Sequence, residues 1–393
     1  MQGLIETFFL CYNHNMKEFA PEAYLALELL NSRNKQAYLV GGAVRDLLLK
    51  RPVSDYDITT NANPDEIRKI FKDHPHYDIG RKHGCVAVNI NGIVIEITPF
   101  RKESDYLDHR HPNRIEFVDD LKDDLSRRDL TINALCLDEN NKIIDLFDGQ
   151  KDLKNRILRA IGDPNERYKE DALRILRTIR FSVQLGFAIE EKTKDALFAN
   201  KELLSYISME RKKEELFKIL QYDNTYQTIN EYLDVFHCFI PLLKPDGDID
   251  NLQGPYEKLA YLLKDDKTSL VEYKFSKSED LLVKTLKEAF SINVNDDYEF
   301  IRLLANDHYQ KELLEVLNHY HNHNYAKRYH KLLPFMVTLK NLNISGDELM
   351  EYGYRGKDIR MMQDELLFLI HCQKLNNDPA CIKMHLLKKC YTR

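Results

Sequence analysis

The sequence predicts an α+β protein, with a small mixed sheet and packed helices in its N-terminal part and helix alone thereafter. Three stretches predict it. Residues 86–98 hold two alternating β-branched runs separated by Asn91-Gly92, a strong hairpin signal. Residues 38–60 read as strand, Gly41-Gly42 turn, short helix and second strand. From Asp163 onward apolar residues recur at helical spacing with little Gly or Pro to interrupt them. A chain of 393 residues exceeds one ordinary core, so about two to four domains are expected.

In order along the chain, residues 1–36 read as helix, with Leu25, Leu27, Leu29 and Leu30 leading into the first strand. In residues 38–60 the paired glycines let backbone approach a ligand closely, and a helix opening behind them offers N–H groups to an anion. Asp55 and Asp57 are two apart, so on a strand they share a face while Tyr56 and Ile58 enter the packing. Two carboxylates on one face suit a hard divalent cation, Mg²⁺ being the natural occupant where phosphates complete its shell. Asn63-Pro64-Asp65-Glu66 is a helix start with the makings of a capping box.

Glu96 lies on the second hairpin strand between Ile95 and Ile97. It is either a third metal-facing acid or an outward edge residue, and alternation leaves both open. Residues 100–117 are polar, basic and aperiodic, and are expected to form a mobile loop of the length reserved for function. Arg127, Arg128 and Asp129 follow, a pattern in which an Arg grips phosphate or ribose oxygens and the adjacent Asp orients it.

Asp163 caps a helix expected to run through Asp171, Arg174, Arg177 and Arg180 to a stop at Gly186. Ala172, Ile175, Leu176, Ile179 and Val183 form its apolar stripe. Asp171, Arg174 and Arg177 fall within about 120° of one another, whereas Arg180 lies about 180° from Asp171. A carboxylate only accepts hydrogen bonds and a guanidinium only donates them. Cytosine and adenine each show an amino donor beside a ring acceptor and match such an edge; uracil and guanine present the opposite order. The bland alternative is an ordinary i, i+3 ion pair. Beyond 190 the chain is repeated amphipathic helix, including a capped, charge-laced one over 208–218, and His319, His321 and His323 lack the spacing of helical metal ligands.

Seven scattered cysteines without a Cys-x-x-Cys pair suggest neither a disulfide framework nor a zinc site. The N-terminus lacks the plan of a signal peptide and no long apolar run exists, so a cytoplasmic protein without a membrane partner is expected. A net charge of −6 argues against coating nucleic acid through bulk charge. Residues 151–220 nevertheless carry sixteen Lys and Arg against twelve Asp and Glu, so polyanion binding is expected to begin there.

Gly41-Gly42-Ala-Val-Arg45-Asp46, Asp55-Tyr-Asp57, Arg127-Arg128-Asp129-Leu-Thr-Ile-Asn133, Glu170-Asp171-Ala-Leu-Arg174 and Glu210-Arg211 to Glu215 occur in that order. Together they resemble the class II tRNA nucleotidyltransferases, the CCA-adding enzymes of the nucleotidyltransferase and poly(A) polymerase superfamily. A segment over 344–350 also looks like theirs, and the likeness spans nearly the whole chain. It implies a catalytic nucleotidyltransferase head (1–150), followed by an elongated all-α neck that reads the base (151–225), a body (226–335) and a tRNA-binding tail (336–393). The implied reaction is template-independent addition of CCA to tRNA from CTP and ATP by two-metal phosphoryl transfer, by a monomer or homodimer.

By position, the resemblance assigns Mg²⁺ to Asp55 and Asp57, the triphosphate to Gly42 and Arg45, and the ribose to Arg128. The base template falls on Asp171 and Arg174, supported by Arg177 and Arg180. Leu130 stands where the family commonly has Phe, Pro99 interrupts a usual Thr-Thr-Phe-Arg, and Lys50 replaces a common Gly. An A-adding half-enzyme, a bacterial poly(A) polymerase and a catalytically dead helical RNA-binding protein are the alternatives.

Overall fold

The structure, a computed structural model, describes residues 19–53, 55–79, 84–106, 112–306 and 308–390; the first half of the stretch expected as helix over 1–36, residues 1–18, lies outside them. The chain divides into two compact units, Met1–Glu215 and Leu216–Arg393, and the division falls within the helix Met209–Leu220.

The first unit carries the sheet. After helix α1 (Pro21–Asn31) come β1 (Ala37–Val40), α2 (Gly42–Leu48), β2 (Tyr56–Thr60), α3 (Pro64–Ile70), β3 (His76–Ile79), β4 (Cys85–Ile90) and β5 (Ile93–Pro99). Two short strands, β8 (Cys136–Leu137) and β9 (Ile143–Ile144), complete a sheet of order β3-β4-β5-β2-β1-β8-β9, after the separate ribbon of β6 (Arg101–Tyr106) and β7 (Pro112–Phe117). The sheet is mixed: β2 and β5 run parallel with Asp57 opposite Glu96, and its other pairs are antiparallel. Local chemistry explains several boundaries. Asn91 and Gly92 sit at φ of 50° and 93°, the left-handed geometry of a tight hairpin turn. Asn63 and Glu66 form the reciprocal capping box at the head of α3. Lys50 takes φ of 56°, the region a glycine enters without steric cost.

Two expectations are corrected. Residues 101–117 are not an aperiodic loop: β6 and β7 pair antiparallel from Arg101 opposite Phe117 to Tyr106 opposite Pro112, and only 107–111 lie outside the described residues. The period-2 apolar signal is missing because the inward side is ionic. Arg101 and Glu103 are nearly buried and paired with each other, and Arg127 joins them.

The second correction concerns the helix expected from Asp163 to Gly186, which is two helices, Pro164–Glu170 and Leu173–Leu185. Asp171 between them is extended (φ −137°, ψ 102°). Its Oδ1 accepts the Leu173 N–H at 3.1 Å and its carbonyl accepts the Arg174 N–H at 3.0 Å, so a local turn competes successfully with the helix ladder. Asp163 does cap the first piece and Gly186, at φ of 66°, ends the second. The apolar stripe buries Ala172, Ile175, Leu176 and Ile179 completely.

The second unit is helical throughout its described residues, with a tail core around Leu349, Leu366, Ile370 and Leu386. Ser276 with Glu279 and Ser345 with Glu348 form capping boxes. His319 Nδ1 meets Glu257 Oε2 at 2.9 Å. The charge-laced helix Met209–Leu220 likewise buries Lys212 and Glu215. No helix among the described residues is long and apolar enough to cross a membrane, and Cys85, Cys136, Cys372 and Cys381 are free thiols.

Candidate active site

A cleft of about 490 Å³ in the first unit is lined by Gly42, Arg45, Asp55, Asp57, Arg128, Asp171, Arg174, Arg177 and Arg180. Residues more than a hundred positions apart thus meet on one surface, and Glu96 alone among the expected site residues is not part of that lining.

The floor begins at the Gly41-Gly42 turn. Gly41 sits at φ of 77°, and a Cβ there would stand 3.4 Å from the Arg128 guanidinium. At Gly42 it would stand 3.6 Å from that of Arg45. The glycines therefore make room for two arginines as well as for a ligand. Arg45 is only 4% exposed. Asp46 grips it at two nitrogens (3.0 and 2.8 Å), and its Nη1 donates to Asn133 Oδ1 at 2.8 Å.

Asp57 lies on β2 and Asp55 just before it, so the pleat that was expected to orient both orients only Asp57. Burial pushes the Asp57 carboxyl up to about 6; Arg128 opposes the shift, and the negative charges of Glu96 and Asp55 add to it. Glu96 is exposed and stands opposite Asp57 in the parallel register, on an interior strand rather than an edge. Among the described residues no three His, Cys, Asp or Glu side chains form a ready-made metal cage. Two hard carboxylates in the cleft lining are nonetheless the donor set a divalent cation uses when phosphate oxygens fill the remaining positions.

Behind them Asp124 is fully buried, its Oδ1 accepting from Arg127 Nε and Nη2 and its Oδ2 from Thr59 Oγ1, with Arg128 Nη2 at 3.5 Å. Burial would raise its pKa, but Arg127 and Arg128 hold it below the ordinary carboxylate range. Arg128 is the less committed of the two, and its buried Nε has no hydrogen-bond partner among the described residues. Asp129 accepts from Arg177 Nε and Nη2 (2.9 and 2.8 Å) and from Asn133 Nδ2 (3.0 Å). Burial would raise its pKa too, yet Arg177 and Asn133 drive it well below the usual range.

At the other end, Asp171 and Arg174 face the same cleft without forming the ordinary i, i+3 ion pair. Arg174 donates to Glu170 Oε2 (2.8 Å), the Arg167 carbonyl (3.2 Å) and the Arg127 carbonyl (2.6 Å). Asp171 Oδ2 lies 3.6 Å from Arg211. Each is thereby held in place by third parties, one presenting an acceptor and the other donors. Arg180, which the helical wheel set farthest from Asp171, also reaches the cleft, because Asp171 stands outside that helix. Its Nε donates to Glu215 (2.6 Å) and its Nη1 to Gln184 (2.8 Å).

Asp46 and Glu215 stood within motifs read from the sequence but were given no role, and Asp124 and Phe181 were not singled out. For Asp124 a signal existed, since carboxylate and guanidinium three and four apart meet on a helix. Phe181 had none beyond its place in a helix.

Residues 37–159 match the family described as "Poly A polymerase head domain", and residues 186–243 the one described as "Probable RNA and SrmB- binding site of polymerase A". A Staphylococcus saprophyticus protein named CCA-adding enzyme is 37% identical over 349 residues, 85% of this chain and 86% of that protein. A protein of the same name from Ligilactobacillus salivarius is 48% identical over 229 residues, 58% of this chain and 56% of the relative. Among solved structures, the Bacillus stearothermophilus CCA-adding enzyme in complex with CTP is similar, with a TM-score of 0.78 and 27% identity, covering 95% of this chain and 99% of that one.

Proposed function

This chain belongs to the CCA-adding enzyme family, and on that premise we propose that it adds cytidine and adenosine to the 3′ end of tRNA, using CTP and ATP and releasing pyrophosphate. The 3′-hydroxyl attacks the α-phosphate in line and no covalent enzyme intermediate forms. Asp55 and Asp57 would hold a divalent cation, Mg²⁺, which would supply Lewis acidity for the phosphoryl transfer. Arg45, with three of its nitrogens already anchored, directs its remaining donor capacity at the triphosphate beside Gly42. Arg128, whose Nε has no partner among the described residues, takes the sugar side.

Asp171 accepts the exocyclic amino group of cytosine or adenine, and Arg174 donates to the ring acceptor beside it. UTP and GTP meet the wrong polarity at both positions. Arg177 and Arg180 buttress this edge from the Leu173–Leu185 helix. Residues 1–150 form the catalytic head and 151–225 the base-reading neck, with the body (226–335) and tail (336–393) holding tRNA in the cytoplasm.

What supports this is one observation: the acid pair and the Asp171–Arg174 pair line a single cleft. Extension of tRNA lacking its last three nucleotides tests it. CTP alone should give two additions, ATP alone none, and the mixture CCA followed by a halt. Long A tracts from ATP alone, or no extension under any condition, would overturn it.

A further inference from the structure

Phe181 sits at the centre of the site's arginines. The guanidinium carbons of Arg180, Arg45 and Arg177 lie over its ring at 4.0, 5.1 and 5.5 Å from the centroid. The ring is 5% exposed and packs in the apolar cluster that contains Val44, Leu130 and Ile132, so its position is set by the core of the head rather than by the cleft. Each cation also has its own carboxylate: Asp46 for Arg45, Asp129 for Arg177 and Glu215 for Arg180. Three like charges around one ring repel, and the negative π face together with three separate acids offsets that repulsion.

The residues in this stack come from four separate stretches of sequence: the helix behind the glycine turn, the Arg-Arg-Asp turn, the Leu173–Leu185 helix and the helix Met209–Leu220. Asn133 joins two of them again, accepting from Arg45 and donating to Asp129.

We propose that Phe181 is a positioning residue whose aromatic face sets Arg45, Arg177 and Arg180 as one unit, so that the triphosphate end and the base end of the nucleotide site are aligned together. It touches no reacting atom. Its effect is on nucleotide binding, for CTP and ATP alike, because the stack lies between the two ends and not at the base edge itself.

The proposal rests on the nucleotidyl-transfer function above. Its test compares the full chain with Phe181→Leu and Phe181→Tyr, by equilibrium titration with CTP and by steady-state extension of tRNA lacking its last three nucleotides. Leucine keeps an apolar side chain and loses the π face; tyrosine keeps the face. Phe181→Leu should raise the Kd for CTP, and the KM for CTP and ATP, by about tenfold, with kcat within about threefold of the parent. Phe181→Tyr should stay within about threefold of the parent in every constant. A leucine variant that binds CTP as the parent does, or a tyrosine variant as impaired as leucine, would overturn the proposal, since volume alone would then account for the position. If the leucine variant does not fold, Phe181→Met is scored on the same criteria. A parent that binds CTP but extends no tRNA would end the proposed function, while the leucine-to-tyrosine contrast in Kd would still decide the role of the ring. A parent that does not bind CTP would end both.

Discussion

In the first unit partly exposed arginines face buried or nearly buried acids: Arg177 on Asp129, Arg180 on Glu215 and Arg127 on Asp124. In the second, Lys258 is 2% exposed and donates to neutral oxygens, the Tyr222 carbonyl at 2.7 Å and Thr225 Oγ1 at 2.9 Å. Burial lowers the Lys258 pKa, with more distant Asp250, Asp223 and Glu257 opposing. The first arrangement uses part of each guanidinium and leaves planar donors aimed at a cleft. The second ties an ammonium to the ends of its own helices. These arginine–carboxylate pairs therefore assemble a site, whereas Lys258 joins helices. A guanidinium carries five donors in a fixed fork, whereas an ammonium is a compact point charge.

The sharpest break of this contrast is Asp57→Ala. It should lower single-turnover tRNA extension by on the order of a thousandfold or more, while urea unfolding at neutral pH shows the fold retained. Substantial activity in the purified variant would remove the metal role from the acid pair.

Next is Asp129→Asn, which strands the Arg177 guanidinium. A loss of about 1–3 kcal/mol is expected on chemical denaturation at pH 7, less than for a fully buried pair because the Arg177 side chain is partly open to solvent. The sign with pH follows from the depressed folded pKa of Asp129. Its contribution is fully present above the ordinary carboxylate range and disappears as pH falls through the folded value, so the deficit of the variant should shrink in acid. An equal deficit at pH 7 and pH 3 would contradict the buried pair.

Asp171→Ala should reduce discrimination of CTP over UTP by about ten- to a hundredfold, with a smaller change in the KM for CTP. Competition between the two nucleotides on one tRNA measures it, and undiminished refusal of UTP would sink the template assignment.

The smallest effect belongs to the second unit. Lys258→Met leaves the Tyr222 and Thr225 oxygens without their donor and should cost about 1–3 kcal/mol in stability. Nucleotide choice should be unchanged; a shift in choice would blur the division of labour between the units.

What was legible beforehand depended on range. The caps at Asn63 and Asp163, the Asn91-Gly92 turn and the stop at Gly186 are decided by residues within four positions of one another, and they stand where expected. The strand pair over 101–117 was invisible because its inward residues, Arg101 and Glu103, are charged and satisfied by Arg127 from another element. The break at Asp171 escaped because helical periodicity continues on both sides of it. The hydrogen bond from Leu173 N–H that ends the first helix leaves no mark in an apolar pattern.

The sequence alone determined the types of group the site holds and their order: two acids two apart, an Arg-Arg-Asp turn, and an acid and arginine three apart. These are matters of covalent spacing and short-range hydrogen bonding. Only the tertiary structure decided that Arg180 joins them, that Glu96 stands beside Asp57 yet outside the cleft lining, and that Phe181 gathers three cations. Those outcomes turn on which partners a folded core brings within a few ångströms, and the attraction between charges across such a gap depends on burial that no local pattern encodes.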